Sequence, residues 1–148
     1  MNLVEEHNKK YAFFKEITGV AMQVHREYHP GLLELAYQAA LKYLLTQKQY
    51  KVQKQVLVPI YWKDVLLDEY YRIDLLVNDS IIIELKATKQ VISEHRKQLH
   101  NYMRLTHLPF GMLINFGMQG LYSEWYELNV ATNEIEKITL MWEIFEQF

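Results

Sequence analysis

The chain has 148 residues, of which 50% are hydrophobic, 14% aromatic and 23% charged. That length suits a single domain over residues 1–148, and the apolar fraction is too high for a disordered chain. A net charge of −2 argues against a protein that coats nucleic acid by charge alone, and zero Cys excludes a disulfide scaffold, a thiolate zinc site and a cysteine nucleophile. No apolar run approaches the roughly 18 residues of a membrane span. The opening MNLVEEHNKKYAFFKE is charged and mixed, unlike a secretory signal. A cytoplasmic protein with no membrane partner is therefore expected.

The first segment, about Glu5 to Tyr28, reads as one helix, because Phe13, Ile17, Val20, Ala21, Val24 and Tyr28 recur at spacings of three and four. His29-Pro30-Gly31 breaks it. A second helix follows from about Leu32 to Lys48. The period then changes. Val52, Val56, Val58 and Ile60 predict a strand ending near Trp62, and Lys63-Asp64 predicts a turn into Val65-Leu66-Leu67. Tyr70 to Val77 and Ile81 to Leu85 read as two strands joined by the short loop Asn78-Asp79-Ser80. Ser93 is the expected N-cap of a helix running to about Thr106, which Pro109 stops. Phe110 to Phe116 is a further strand. Leu121 to Leu128 and Ile135 to Leu140 suggest a hairpin turning near Thr132-Asn133, and Met141 to Phe148 reads as strand or helix. The whole is an α+β fold with a central mixed sheet flanked by helices, plus a C-terminal extension.

Charge is unevenly spread. Between Lys86 and His107 the bases Lys86, Lys89, Arg96, Lys97 and Arg104 face one acid, Glu94. Such a stripe in an otherwise acidic chain can face a polyanion or simply be a solvated helix face.

The chemistry concentrates in two strands. Strand alternation puts Tyr71, Ile73, Leu75 and Val77 on one face and Arg72, Asp74 and Leu76 on the other. In the next strand Ile82, Glu84 and Lys86 share a face. If Val77 pairs with Ile81, Asp74 lies opposite Glu84 and Arg72 opposite Lys86. Two facing carboxylates repel, so something must offset them: cross-strand ion pairing with Arg72 and Lys86, or a divalent cation. Lys86 would share that site, able to orient a water or stabilise charge on a phosphate. Gln98 and Tyr102, four apart on a helix, share a face. Glu34 falls in an apolar helix face amid Leu33, Ala36 and Tyr37, where a carboxylate needs a partner or a helix N-terminus. His25 and His29 are four apart, but the helix breaks there and no HExxH pattern supports zinc.

At these residues the sequence resembles a known family. GLLELAY, Gly31 to Tyr37, is similar to the motif that gives the GxxExxY protein family its name, a family that resembles the PD-(D/E)XK nuclease superfamily. The similarity runs from about Phe14 to Phe116 through VHREYHPGLLELAYQAAL, YYRIDLLV, IIIELKA, HRKQLHNYMRLT and GMLINFG. It implies a restriction-endonuclease-like core of helix, three strands, helix and strand over about residues 14–116, with residues 117–148 as an appendage. It also implies a metal-dependent nuclease. Asp74 and Glu84 would be the principal metal ligands, Glu34 a helix-borne acid assisting them, and the Leu85 backbone carbonyl a further ligand. Lys86 would be the catalytic lysine, and Gln98 and Tyr102 match the QxxxY element of exonuclease-like branches. One departure is that Ile73, not Pro, precedes Asp74. The implied cofactor is Mg2+, with Mn2+ as substitute, and the implied partner is nucleic acid, DNA before RNA. The alternative is a catalytically inactive binding module on the same fold. The apolar stretch Ile138 to Phe148 reads as a homodimer contact or an extra core layer.

Overall fold

The computed structural model describes residues 2–140. Three helices lead: α1 (Leu3–Lys10), α2 (Ala12–Tyr28) and α3 (Glu34–Gln47). They are followed by β1 (Val52–Trp62), β2 (Val65–Val77), β3 (Ile81–Lys86), α4 (Ser93–Thr106), β4 (Phe110–Asn115), β5 (Tyr122–Asn129) and β6 (Glu134–Lys137). The fold is α+β, with one mixed sheet flanked by helices.

The six strands lie side by side in chain order. Among the described residues only β3 and β4 are parallel, joined by the α4 crossover; every other neighbour pair is antiparallel. A parallel pair needs such a crossover, whereas hairpins suffice elsewhere. Helices α2 and α3 cover one face of the sheet. There Phe14, Ile17, Leu41 and Leu45 pack on Leu75, Ile83, Leu85, Met112 and Ile114. Helix α4 covers the other face through Leu99, Tyr102 and Met103, which meet Ile73, Leu76, Ile82 and Leu113. The strict alternation of β3 and β4 between these two clusters follows from the two-residue period of a strand.

Several expectations need correction. The first helix is two helices, divided at Tyr11. That side chain is buried and its hydroxyl donates to Glu127 across the fold, which turns the chain there. Val65 to Val77 forms one strand rather than two, although its pairing with β1 shifts register at Leu67 to Glu69, where the break was expected. Ser93 lies inside α4; the boundary residue is the extended Ile92, whose amide donates to Nδ1 of His95. The expected hairpin of β5 and β6 does form, with β6 ending at Lys137; it extends the sheet beyond β4, and Asn133 lies at its turn with positive φ. Ile138 and Leu140 are buried in the core beside α2 and α3, so the described part of the apolar C-terminal stretch is core. The reading of Met141 to Phe148 lies outside the described residues.

Candidate active site

The site sits where β2 and β3 come apart. Their ladder runs Val77↔Ile81, Leu76↔Ile82 and Leu75↔Ile83, the register expected from the hairpin loop. There the ladder ends. Beyond it two side-chain bonds tie the strands together: the Asp74 amide donates to Glu84 Oε1 at 3.1 Å, and the Leu85 amide donates to Asp74 Oδ2 at 2.8 Å. Asp74 and Glu84 therefore face each other, each carboxylate held by the other strand's backbone. The expected partnership of Arg72 with Lys86 does not form, because no ladder reaches those positions. Arg72 is exposed, its guanidinium 5.7 Å from the Tyr70 ring centre.

The alternation expected along β2 is also broken. Leu75 and Val77 share the face that packs against α2 and α3, but Ile73, expected beside them, belongs to the α4 side with Leu76. Across from Asp74, Gln55 of β1 adopts φ of 52°, a left-handed conformation that interrupts the pleat at this level. Asp74 sits at the crossing.

Burial and like charge act together here. Glu84 is 2% exposed, and burial pushes its carboxyl well above the ordinary range, with the Asp74 charge adding to it. Asp74 is also raised by burial, opposed by the Leu85 amide and Lys86. Lys86, on the same face of β3 as Glu84, donates from Nζ to Gln98 Oε1 at 3.0 Å, and Gln98 Nε2 donates to the Tyr102 hydroxyl at 3.0 Å. One turn of α4 thus fixes the lysine. Burial raises the Tyr102 phenol, and the Glu84 charge raises it further. Leu85 enters through its backbone, between the two charged residues, while its side chain is buried in the core.

Glu34 does not lie in a closed apolar face. Leu33 and Leu35 beside it are 84% and 65% exposed, and Glu34 is the first residue of α3, open to solvent at the helix N-terminus. Partial burial raises its carboxyl; Lys86 opposes the rise, Asp74 adds to it, and the Ala87 amide lowers it. It therefore lies within electrostatic reach of Asp74 and Lys86. The flanking motif residues set that position. Gly31 has φ of 121°, a conformation that disfavours any side chain. Tyr37 is fully buried, stacks on Phe116, donates its hydroxyl to the His29 carbonyl and accepts from the Leu32 amide. It pins the turn that carries Glu34.

Two supports escaped sequence reasoning. Asn115, fully buried, accepts from the Thr88 and Gly117 amides and donates to the Thr88 carbonyl, which fixes the chain just after Lys86. An Asn inside the apolar run GMLINFG was the available signal, since a buried amide needs partners. The second is Glu124, 1% exposed, which accepts from both Arg96 Nε and Nη2 and from the Tyr122 and Tyr126 hydroxyls. Arg96, one of the bases in the stripe read as facing a polyanion or solvent, is thereby occupied; Lys97 remains exposed. His25 is buried and its Nε2 meets the Met118 carbonyl.

Among the described residues no three His, Asp or Glu side chains are gathered so as to hold a metal ion by themselves. The donor chemistry nevertheless suits a hard divalent cation. Asp74 and Glu84 supply carboxylate oxygens in a site short of positive charge, and Mg2+ commonly takes one or two carboxylates, with water and phosphate oxygens completing the shell.

The family model for the PD-(D/E)XK nuclease superfamily matches residues 11–127. A solved structure, the crystal structure of SSO0001, is similar in fold, with a TM-score of 0.52 at 18% identity. The match covers 86% of this chain and 65% of that one. No curated protein matches the chain.

Proposed function

The chain belongs to the PD-(D/E)XK nuclease superfamily, and from that premise we propose that it is a metal-dependent nuclease hydrolysing phosphodiester bonds of nucleic acid, DNA before RNA. The observation that carries the reading is the interlocked Asp74–Glu84 pair beside a lysine fixed by Gln98. PD-(D/E)XK nucleases generally use divalent metals. In this proposal Asp74, Glu84 and the Leu85 backbone carbonyl hold Mg2+, or Mn2+ in its place, with Glu34 assisting. When bound, the ion supplies Lewis acidity toward the scissile phosphate and a water of lowered pKa.

The chain's own residues do the rest. Lys86 directs its ammonium at the attacking water or at the charge growing on the phosphate. Gln98 and Tyr102 hold that ammonium in place, since a lysine otherwise loses much rotamer freedom on binding. Membership of the narrower GxxExxY family is part of the proposal, supported by the way Gly31 and Tyr37 set Glu34 at the rim of the site. So is a single nuclease-like domain, with β5 and β6 completing its sheet.

Calorimetric titration of Mn2+ into the wild type and Asp74→Ala tests the reading. Saturable binding lost in the variant is the expected outcome. A folded wild type that binds no Mn2+, alone or with a nucleic acid present, would refute it and favour the inactive binding module.

A further inference from the structure

Beyond the ladder with β3, the distal halves of β1 and β2 pair only with each other among the described residues, forming a two-stranded arm. The arm exposes an unusual load of aromatic surface: Tyr61, Trp62, Tyr70 and Tyr71 are 58%, 66%, 49% and 45% exposed. At its root the arm meets α4. The Tyr71 ring lies 5.5 Å from the Tyr102 ring, inclined at 48°. Beside this ring pair lies an open cleft of about 410 Å³, lined by Tyr71 and Tyr102 and by Gln98, Asn101, Lys97, His95 and Glu94. That volume falls within the ~300–1,000 Å³ of ordinary small-ligand sites.

We infer that this cleft holds one unstacked base of a single-stranded nucleic acid, with the base face on Tyr71. The inference rests on the nuclease reading and adds to it the substrate class. Three features favour this occupant. The cleft pairs an aromatic wall with side-chain amides and a phenol, the groups that meet a base face and a base edge. Lys97 at its rim offers an ammonium to a phosphate, although Glu94 opposes it. Finally, the cleft is continuous with the candidate site, because Gln98 lines it and also holds Lys86. A nucleotide seated there would have its phosphate beside the carboxylate pair. A base inside a duplex has both faces covered by its neighbours, so it cannot enter without being extruded.

The test uses fluorescence anisotropy with a labelled oligonucleotide of mixed sequence, free and annealed to its complement, with Ca2+ in place of Mg2+. The proteins are the wild type, Tyr71→Ala and Tyr71→Phe, each also titrated with Mn2+. The wild type should bind the single strand at least about tenfold more tightly than the duplex. Tyr71→Ala should lose between about fivefold and a hundredfold of that affinity, the range for one stacked base. Tyr71→Phe should keep it, and neither change should alter Mn2+ binding. Duplex bound as tightly as single strand, an indifferent Tyr71→Ala, or no binding of either form would overturn the inference. The Mn2+ titration judges the nuclease reading separately: intact metal binding alongside any of those results leaves that reading standing without the base cleft.

Discussion

Acid should strip the fold of a charge it depends on at Glu124. This carboxylate is enclosed between α4 and β5, bonded to Arg96 at 2.8, 3.0 and 2.7 Å and to two tyrosine hydroxyls. Burial pushes its carboxyl up, but the Arg96, Tyr122 and Tyr126 bonds overcome that and bring it down from 4.5 to about 2. At 1.36 kcal/mol per unit this corresponds to about 3 kcal/mol, reduced to about 2 because Arg96 is partly open to solvent. The folded pKa is depressed, so the contribution is fully present above about 4.5 and is lost as pH falls toward 2. Urea denaturation of metal-free wild type and Glu124→Gln at a series of pH values would measure it. Near pH 6 the variant should be less stable by about 3 kcal/mol or more, since Arg96 loses a buried partner. Between pH 4.5 and 2 the gap should narrow by about 2 kcal/mol. Asp74, Glu84 and Glu34 act in the opposite sense, because their raised values make the fold more stable as pH falls through them; they are common to both proteins and cancel in the difference. Two curves that stay parallel down to pH 2 would refute the argument.

Glu84→Gln should stabilise the metal-free protein at neutral pH, by about 1–3 kcal/mol, because the amide still accepts from Asp74 while a buried charge disappears; a lower melting temperature would contradict this. The same variant should lose metal-dependent cleavage. Gly117→Ala should cost more than about 2 kcal/mol by thermal melting, since its Cβ would fall on the Thr88 backbone. An unchanged melting temperature would show that the loop after Lys86 can yield.

Much of the architecture was legible because it is carried by period. The apolar spacing of α2 and α3, the run Ile81 to Leu85 and the hairpin Asn78-Asp79-Ser80 each follow from local pattern, and the register that hairpin sets brings Asp74 to the level of Glu84. What escaped reading depends on distant partners. Nothing near Tyr11 announces that Glu127 will hold its hydroxyl and split the first helix. The left-handed Gln55 and the early end of the β2–β3 ladder are properties of paired strands, so the misplacement of Ile73 and Arg72 was not visible in either strand alone. Arg96 read as part of a stripe facing a polyanion or solvent because its partner, Glu124, lies on a strand outside the resemblance. Glu34 reads as lying in an apolar helix face but is exposed, since its exposure follows from where α3 begins.

The chain-order arrangement of the sheet bears on how the site comes into being. Four of the five strand pairings close over short turns and carry little loop entropy, whereas β3 and β4 meet only after the whole α4 segment has been brought round. Asp74, Glu84 and Lys86 all lie on the local side of that closure, and Gln98 and Tyr102 arrive with it. Refolding should therefore yield the acidic pair early, with its lysine still loose, and competence should appear in a single late kinetic phase, together with burial of Leu99 and Met103.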